Sequence, residues 1–289
     1  MTGWLITGAG GMLGQELTGA LRQAGEQVTA LDRAGLDVTD PAAVTACLAA
    51  ASPAVVVNCA AWTAVDLAEE YEAAALAVNG TGAANLAAAC ARTGARLVQI
   101  STDYVFGAAG RGRYAEDDPP APLNAYGRTK LAGERAALEA GGWVVRTAWL
   151  YGTHGPNFVR AMLGRARAGA AVTVVDDQYG QPTWTAEVAG RVLALARAGA
   201  APGVYHATST GSTTWCGLAR AVYRLAGADP ALVTPVTTAA YPRPAPRPGC
   251  SVLGHDGWAR AGLAAPAHWA DALGQAFPAL ETVLTGTAG

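Results

Sequence analysis

Short apolar runs alternate with longer stretches of helical periodicity over the first 150 residues. Runs such as Val55–Asn58 are almost wholly apolar, as expected for parallel strands that are buried on both faces. This alternation predicts an α/β fold with a doubly wound parallel sheet. The predicted strands are Trp4–Thr7, Gln27–Leu31, Val55–Asn58, Arg96–Ser101 and Trp143–Trp149, and the predicted helices are Met12–Ala24, Pro41–Ala50, Glu69–Thr93 and Ala125–Ala140.

The pattern is less regular beyond residue 150. It predicts helices near 156–169, 186–199, 215–226 and 268–276, and strands near Val172–Val175 and Val204–Ala207. The stretch 241–249 contains four prolines and predicts an extended arm, because proline lacks the amide that a helix interior needs.

Composition narrows the class of protein. Hydrophobic residues make up 51% of the chain and charged residues only 15%, which excludes a disordered chain or a coiled coil. The net charge of −2 leaves no basic surplus for binding nucleic acid. The uncharged stretches 41–65 and 73–91 approach the length of a membrane span, but polar residues and glycines interrupt both. Five cysteines without a CxxC pair and the lack of a basic leader favour a reduced, cytoplasmic protein without a membrane anchor.

A glycine-rich turn follows the first predicted strand and opens the first helix. Its sequence, Gly8-Ala9-Gly10-Gly11-Met12-Leu13-Gly14, has the spacing that brings a backbone close to a pyrophosphate at a helix N-terminus. An ordinary glycine-rich turn is the alternative, but its place directly after the first strand favours an NAD(P)-binding Rossmann domain. We expect this domain to comprise residues 1–150, with about 172–207 returning to it. About 151–171 and 208–289 would then form mainly a small substrate-binding lobe.

The end of the second strand bears on the choice of coenzyme. Asp32 has the position of a carboxylate that accepts the adenosine ribose hydroxyls, which favours NADH. Arg33 favours NADPH instead, since a guanidinium suits a 2′-phosphate. Asp37 and Val38 follow at positions that could border the adenine. Asp40 precedes Pro41 and could cap the next helix.

Tyr126 and the chain's single lysine, Lys130, are the strongest catalytic signal. Their i, i+4 spacing places both side chains on one face of a helix. An ammonium beside a phenol lowers its pKa, so Tyr126 could pass a proton to a carbonyl oxygen while hydride arrives on carbon. Thr102, at the end of the fourth strand, could orient that carbonyl, and strand-end capping is the alternative for its hydroxyl. A chance helical pair is the alternative for Tyr126 and Lys130.

These motifs together resemble the extended short-chain dehydrogenase/reductase superfamily and, within it, the dTDP-4-dehydrorhamnose reductases. The resemblance spans nearly the whole chain, and the string Ser101-Thr102-Asp103-Tyr104-Val105-Phe106 is its most discriminating part. The other matching segments are Gly8–Gly14, Asn58–Asp66, Val78-Asn79, Tyr126–Lys130, Arg146–Gly152, Asp177–Thr183 and Arg243–Pro248.

The resemblance implies a role for each matched position. Thr102, Tyr126 and Lys130 would be catalytic, with Asn79 as a possible fourth member in a water relay. The cofactor residues would be Gly8, Gly10, Gly11, Met12, Leu13, Gly14, Asp32, Arg33, Asp37, Val38, Asn58, Ala60, Ala61, Asn79, Tyr126 and Lys130. The substrate residues would be Thr63, Val65, Thr102, Asp103, Tyr104, Trp149, Asn157, Gln178, Arg243 and Arg247. Core packing is the alternative for Trp149, and a rigid linker is the alternative for the arm Arg243–Pro248.

The implied reaction is reduction of the C4 ketone of dTDP-4-dehydro-L-rhamnose with NADPH, NADH remaining open. Three alternatives stand beside it: a 4-ketoreductase of another nucleotide-linked deoxysugar in antibiotic glycosylation, an epimerase, and a non-catalytic regulatory NADP-binding subunit. The loop after Gly107 departs from the family pattern. Glu16 and Glu187 could contribute to a metal site, but no third ligand is evident, so Mg²⁺ stays open. The chain is expected to be a monomer or homodimer.

Overall fold

The computed structural model describes residues 3–107 and 112–286 and has an α/β architecture. Helices cover both faces of a six-stranded sheet. The strands are β1 Gly3–Thr7, β2 Gln27–Leu31, β3 Val55–Asn58, β4 Arg96–Thr102, β5 Trp143–Thr147, β6 Leu150–Tyr151, β7 Val172–Val175, β8 Tyr179–Gly180, β9 Thr183–Trp184, β10 Gly203–His206, β11 Thr213–Thr214 and β12 Val233–Val236. The helices are α1 Met12–Gln23, α2 Pro41–Ala51, α3 Val65–Glu70, α4 Glu72–Leu76, α5 Ala83–Thr93, α6 Ala125–Glu139, α7 Phe158–Arg167, α8 Thr185–Arg197, α9 Trp215–Leu225, α10 Asp256–Arg260 and α11 Trp269–Thr285.

The main sheet is parallel throughout, in the order β10-β5-β4-β3-β1-β2. All four residues of β3 are buried, because apolar layers cover both faces of the sheet. One layer joins Leu17 of α1 to Val192 of α8, and the other includes Leu48 of α2 and Leu86 of α5. This arrangement confirms the predicted doubly wound fold.

Local capping sets where two of the helices begin. Asp40 accepts hydrogen bonds from the amides of Ala42 and Ala43 at 2.8 and 3.1 Å, which confirms it as the cap of α2. Asn124 accepts from the amide of Gly127 at 2.8 Å. Because this second cap starts α6 at Ala125, it places Tyr126 and Lys130 in the first two turns.

The predicted single helix Glu69–Thr93 was wrong in detail. Tyr71, with φ −117° and ψ 43°, separates α3 from α4, and Ala77–Gly82 forms a π-helical turn before α5. The wide turn directs Asn79 into the interior, where it bonds to Trp62 and Thr129, and such tertiary contacts leave no trace in the periodicity. By length and composition the helical run Glu72–Thr93 could cross a membrane, but half of its most apolar window is buried within the fold.

The chain after residue 150 contributes both to the main sheet and its helical layer and to a separate apolar cluster. Helix α8 packs on α1, and β10 pairs with β5 in the main sheet. Strand β7 pairs instead with β12, and α7, α9 and α11 enclose a separate apolar cluster. Strand β7 therefore lies outside the main sheet, and β10 lies within it. The wider division into domain and lobe stays a prediction.

At two of the element ends that differ from the predictions, the structure shows the physical reason. Strand β5 ends at Thr147, two residues early, because Trp149 takes a positive φ of 44° that no strand can accommodate. Helix α11 continues past Pro278 to Thr285. Proline removes one helical hydrogen bond, but Phe277 and Leu280 lie in the apolar cluster, and their burial extends the helix.

Candidate active site

A cleft of about 1150 Å³ opens at the carboxyl ends of β1, β3, β4 and β5, which is where ligands bind in doubly wound sheets. Its wall brings together most of the residues expected from the sequence, namely Gly8, Gly10, Gly11, Met12, Leu13, Gly14, Asp32, Arg33, Asp37, Val38, Ala60, Ala61, Thr63, Val65, Thr102, Asp103, Tyr104, Tyr126, Lys130 and Trp149. Residues that lie more than 130 positions apart in the sequence thus line the same cleft.

The glycine turn is sterically required at two positions. A Cβ on Gly8, whose φ is +66°, would lie 2.5 Å from the amide nitrogen of Ala60. A Cβ on Gly14 would lie 2.4 Å from the carbonyl oxygen of Gly8. Helix α1 begins after Gly11 without a side-chain cap, so its first amides are left to face the cleft. This backbone fits the pyrophosphate of a dinucleotide, because an uncapped helix N-terminus attracts an anion.

The acidic residues after β2 shape the far end of the cleft. One oxygen of Asp32 accepts the amides of Ala34 and Gly35, each at 3.0 Å, and so closes the turn. Hydrogen bonds from the Thr39 amide and hydroxyl hold the pKa of Asp37 below its usual value. Arg33 lies on the same wall and is exposed. Carboxylate and guanidinium are thus both present where the adenosine ribose of a dinucleotide would lie.

Thr102, Tyr126 and Lys130 meet near the middle of the cleft. Thr102 ends β4; its hydroxyl accepts the amide of Tyr104 at 3.1 Å and donates to Asp103 at 3.0 Å. Lys130 is buried, and its ammonium donates to the carbonyl oxygen of Ile100 at 2.6 Å. The lysine is therefore fixed to the backbone of β4, two residues before Thr102.

The charges at this point differ from the expectation that Lys130 lowers the Tyr126 pKa. Burial raises the pKa of Tyr126, the Asp103 carboxylate adds to the rise, and a hydrogen bond with Thr102 opposes it. Burial lowers the pKa of Lys130 to about 8, and the carboxylate of Glu134 opposes that shift. Tyr126 consequently keeps its proton at neutral pH, the state that a proton donor needs.

Asp103 is a buried carboxyl beside the same tyrosine. Burial raises its pKa to about 6, although hydrogen bonds from Ser251 and Thr102 favour its ionised form. The Ser251 hydroxyl donates to it at 2.5 Å and ties the C-terminal part of the chain to β4. Asp103 therefore contributes a titratable group to the cleft near physiological pH.

Two of the expected cofactor residues, Asn58 and Asn79, lie behind the cleft wall. Asn58 accepts the Thr7 hydroxyl at 2.7 Å and donates to Gln99 at 2.8 Å, which ties β1, β3 and β4 together. The side chain of Asn79 bonds to the amide and carbonyl of Trp62 and so shapes the loop that carries Ala60 and Ala61. Both asparagines hold the wall in place, and a direct contact of either with a cofactor stays a prediction.

Four expected substrate residues also lie outside the wall. Asn157 caps α7 by accepting the amide of Arg160 at 3.0 Å, and Gln178 donates to Thr238 at 2.9 Å. Arg243 and Arg247 form ion pairs with one carboxylate, Asp66, at 2.5 and 2.9 Å. The guanidinium of Arg247 lies 6.0 Å from the centre of the Tyr104 ring, at the edge of the cleft. These pairs anchor the extended arm, and the predicted nucleotide contacts stay predictions.

No group of three or more His, Cys, Asp or Glu suited to a metal ion occurs within residues 3–107 and 112–286. Glu16 accepts the Thr185 hydroxyl at 3.2 Å, and Glu187 accepts the Ser209 hydroxyl at 3.1 Å. Most of the loop after Gly107, residues 108–111, lies outside the described residues.

The whole-chain comparison identifies the family. A family model described as the RmlD substrate binding domain matches residues 1–282. The chain belongs to this family. Its membership confirms the resemblance read from the sequence motifs.

Three relatives in this family match the chain over most of their own length. A Streptomyces griseus dTDP-4-dehydrorhamnose reductase is 57% identical over 96% of this chain and 93% of its own. A Streptomyces niveus dTDP-4-keto-6-deoxy-D-glucose reductase is 51% identical over 96% of this chain and 97% of its own. A Bacillus anthracis dTDP-4-dehydrorhamnose reductase, solved in complex with NADP, is 35% identical with a TM-score of 0.91, covering 96% of this chain and 99% of that one. This last match confirms the fold.

Some residues that line the cleft of this chain were not predicted from the sequence. Trp215, Gly155 and Pro156 come from the C-terminal half, and Ser101, Thr147 and Cys59 come from strand ends. Burial raises the pKa of the Cys59 thiol to about 12, so it stays protonated. In the sequence Trp215 resembles any apolar residue at a helix start, and only the folded chain, in which it lines the cleft and stacks on Trp149, marks it as part of the site.

Proposed function

We propose that this chain is an NAD(P)H-dependent oxidoreductase that reduces the C4 ketone of dTDP-4-dehydro-L-rhamnose to dTDP-L-rhamnose. The observation that carries the proposal is that Thr102, Tyr126 and Lys130 share one cleft with the glycine turn. Relatives that match along almost the full chain and are named dTDP-4-dehydrorhamnose reductase support the substrate. An epimerase is less well supported, because the two Streptomyces relatives described above are both named reductases.

The coenzyme residues are Gly8–Gly14, Asp32 and Arg33, with Asp37, Val38, Ala60 and Ala61 along the wall. When bound, a reduced nicotinamide supplies the hydride. In this proposal the first amides of α1 would hold the pyrophosphate and Lys130 would hold the nicotinamide ribose. NADPH is the first choice because Arg33, whose guanidinium suits a 2′-phosphate, lines the cleft after β2 and because a relative was solved in complex with NADP. Asp32 keeps NADH as the alternative.

Tyr126 is the proton donor in this proposal. Its hydroxyl, kept protonated by burial, gives its proton to the C4 alkoxide as the carbon is reduced. Thr102 fixes the ketone oxygen beside Tyr126. Thr63, Val65, Asp103, Tyr104 and Trp149 face the deoxysugar from the cleft wall. Arg243 and Arg247, which pair with Asp66, would contact the nucleotide diphosphate.

A second candidate is the reduction of another dTDP-linked 4-keto-6-deoxysugar. The observation that favours it is the 51% identity to a relative named dTDP-4-keto-6-deoxy-D-glucose reductase. Both candidates would use the same catalytic residues, and they differ in the configuration of the 4-keto sugar that the cleft accepts. The proposal places the protein in the cytoplasm as a monomer or homodimer without a nucleic-acid or membrane partner.

The deciding assay follows oxidation of the reduced coenzyme by ultraviolet absorbance. Purified protein receives either dTDP-4-dehydro-L-rhamnose or dTDP-4-keto-6-deoxy-D-glucose, each with NADPH and with NADH. Rapid oxidation with the first sugar, lost in Tyr126→Phe, supports the proposal and identifies the coenzyme. Turnover of the second sugar alone favours the second candidate. Coenzyme binding without turnover of either sugar would point to the non-catalytic regulatory subunit.

A further inference from the structure

Two indole rings stack where the cleft meets the C-terminal half of the chain. The ring centroids of Trp149 and Trp215 are 3.7 Å apart, and the rings are inclined by only 9°. Both residues line the cleft and are partly exposed. Phe158 of α7 meets Trp215 edge-on at 4.8 Å. The stack therefore links the cleft wall to the apolar cluster of α7, α9 and α11.

Trp149 has a backbone conformation that its own side chain disfavours. Its φ of +44° is uncommon for a bulky residue and persists only where the surroundings hold it. The carbonyl of Trp149 accepts the amide of Thr183 at 3.2 Å, which fixes the backbone from one side. The indole itself needs a second restraint.

Gly180 and Trp215 supply that restraint through one β-ladder. Gly180 pairs with Thr213, and Thr213-Thr214 leads directly into Trp215 at the start of α9. A Cβ on Gly180 would lie 2.4 Å from the Trp149 ring, so the ring closes against this backbone. Because β8 and β11 are paired, the two neighbours of the Trp149 indole cannot move independently of each other.

We infer that Trp215 is a positioning residue that holds the Trp149 indole as an apolar wall for the 6-deoxysugar of the substrate. The inference rests on the proposed function, since it assigns the sugar end of that same cleft. Tryptophan faces suit the apolar face of a deoxysugar, and a ring fixed before binding loses less entropy when the sugar arrives. Trp215 acts through Trp149 and leaves the hydride and proton steps to Thr102, Tyr126 and Lys130.

The test compares Trp215→Leu with Trp215→Phe and with Trp269→Leu. Trp269 packs on the same apolar cluster but lies outside the cleft wall, so its variant controls for loss of a partly buried tryptophan. We expect Trp215→Leu to raise KM for the sugar nucleotide roughly tenfold, with kcat and coenzyme affinity changed by less than about twofold. Trp215→Phe should recover most of the affinity, and Trp269→Leu should keep the wild-type KM.

Circular dichroism provides a readout that a general loss of packing would not reproduce. Two stacked indoles couple and give an exciton couplet in the far ultraviolet. We expect the couplet in the wild type and in Trp269→Leu, and its loss in Trp215→Leu. Gly180→Ala keeps the Trp215 side chain. It should nevertheless weaken the couplet and raise KM, because the new methyl group displaces the Trp149 ring.

The outcomes separate this inference from the proposed function. A wild-type enzyme that turns over no 4-keto sugar nucleotide would overturn the proposed function and with it the sugar assigned to this wall. An active wild type whose KM is unchanged in Trp215→Leu would overturn the inference alone. A couplet that persists in Trp215→Leu would also overturn it, because the coupling would then not arise from this stack.

Discussion

Arg146 of β5 and Glu134 of α6 form a two-pronged ion pair in the interior, with nitrogen–oxygen distances of 2.9 and 2.7 Å. Both side chains are at most 2% exposed. The Ser101 hydroxyl donates to the same carboxylate at 2.5 Å, directly before Thr102. Glu134 lies one helical turn after Lys130, so this pair joins the helix that carries Tyr126 and Lys130 to the strand that carries Thr102.

Removal of the Glu134 charge should be costly. Glu134→Gln leaves the Arg146 guanidinium buried without its anion, and we expect a loss of about 3 to 5 kcal/mol in the free energy of unfolding. Urea denaturation measures it. Glu72→Gln is the matched control, because Glu72 pairs with Arg128 of the same helix at the surface and should lose less than about 1 kcal/mol. Equal losses in both variants would show that burial does not govern the pair.

The alkaline limit of the reaction should report Lys130. Its pKa is lowered to about 8 by burial, so the ammonium disappears as pH rises through that value. We expect kcat/KM for ketone reduction to fall above about pH 8, with Tyr126 still protonated there. In Glu134→Gln the fall should begin at lower pH, because the carboxylate that favours the ammonium is gone. If kcat/KM began to fall at the same pH in Glu134→Gln and in the wild type, Glu134 would not influence the protonation of Lys130.

The main sheet and much of the cleft could be predicted because their signals are local. Apolar runs located β1 to β4, and the glycine spacing and the Tyr126–Lys130 pair identified residues that line the cleft. The misses arise from contacts between distant residues. Asp66 holds Arg243 and Ala245, the latter 179 positions away, and no local pattern indicates that pairing. The Tyr126 pKa depends on burial, which spacing does not report, so the expected sign was wrong.

The glycine turn offers a test of steric need against helix propensity. In Gly14→Ala the new Cβ would lie 2.4 Å from the Gly8 carbonyl oxygen, so the turn must open. We expect coenzyme binding to fall at least about tenfold by fluorescence titration, together with a loss of stability. Gly19→Ala, on the same helix with nothing within 4 Å, should gain roughly 0.5 to 1 kcal/mol of stability and bind normally. Normal binding by Gly14→Ala would contradict the close approach.

Asp103 should impose a pH dependence on stability. Its pKa rises from 3.8 to about 6 on folding, so the folded state binds the proton more tightly than the unfolded state. Ionisation of Asp103 therefore lowers the free energy of unfolding. The contribution of the protonated Asp103 to stability is fully present below about pH 4 and is lost as the pH rises through about 6. The full difference at pH 7 is about 3 kcal/mol, as an upper limit, at 1.36 kcal/mol for each pKa unit.

Asp103→Asn removes this titration while keeping the shape of the side chain. The variant should be more stable than the wild type at pH 7 by about 1 to 3 kcal/mol, and the advantage should vanish near pH 4. Urea denaturation at several pH values measures the difference. Asp256→Asn is the control, since Asp256 is exposed at the surface and its replacement should change the free energy of unfolding by less than about 1 kcal/mol. If Asp103→Asn were less stable at pH 7, the hydrogen bonds from Ser251 and Thr102 would outweigh the burial of the carboxylate. Asp103 would then be a structural anchor of the cleft and not a carboxylate retained at the expense of stability.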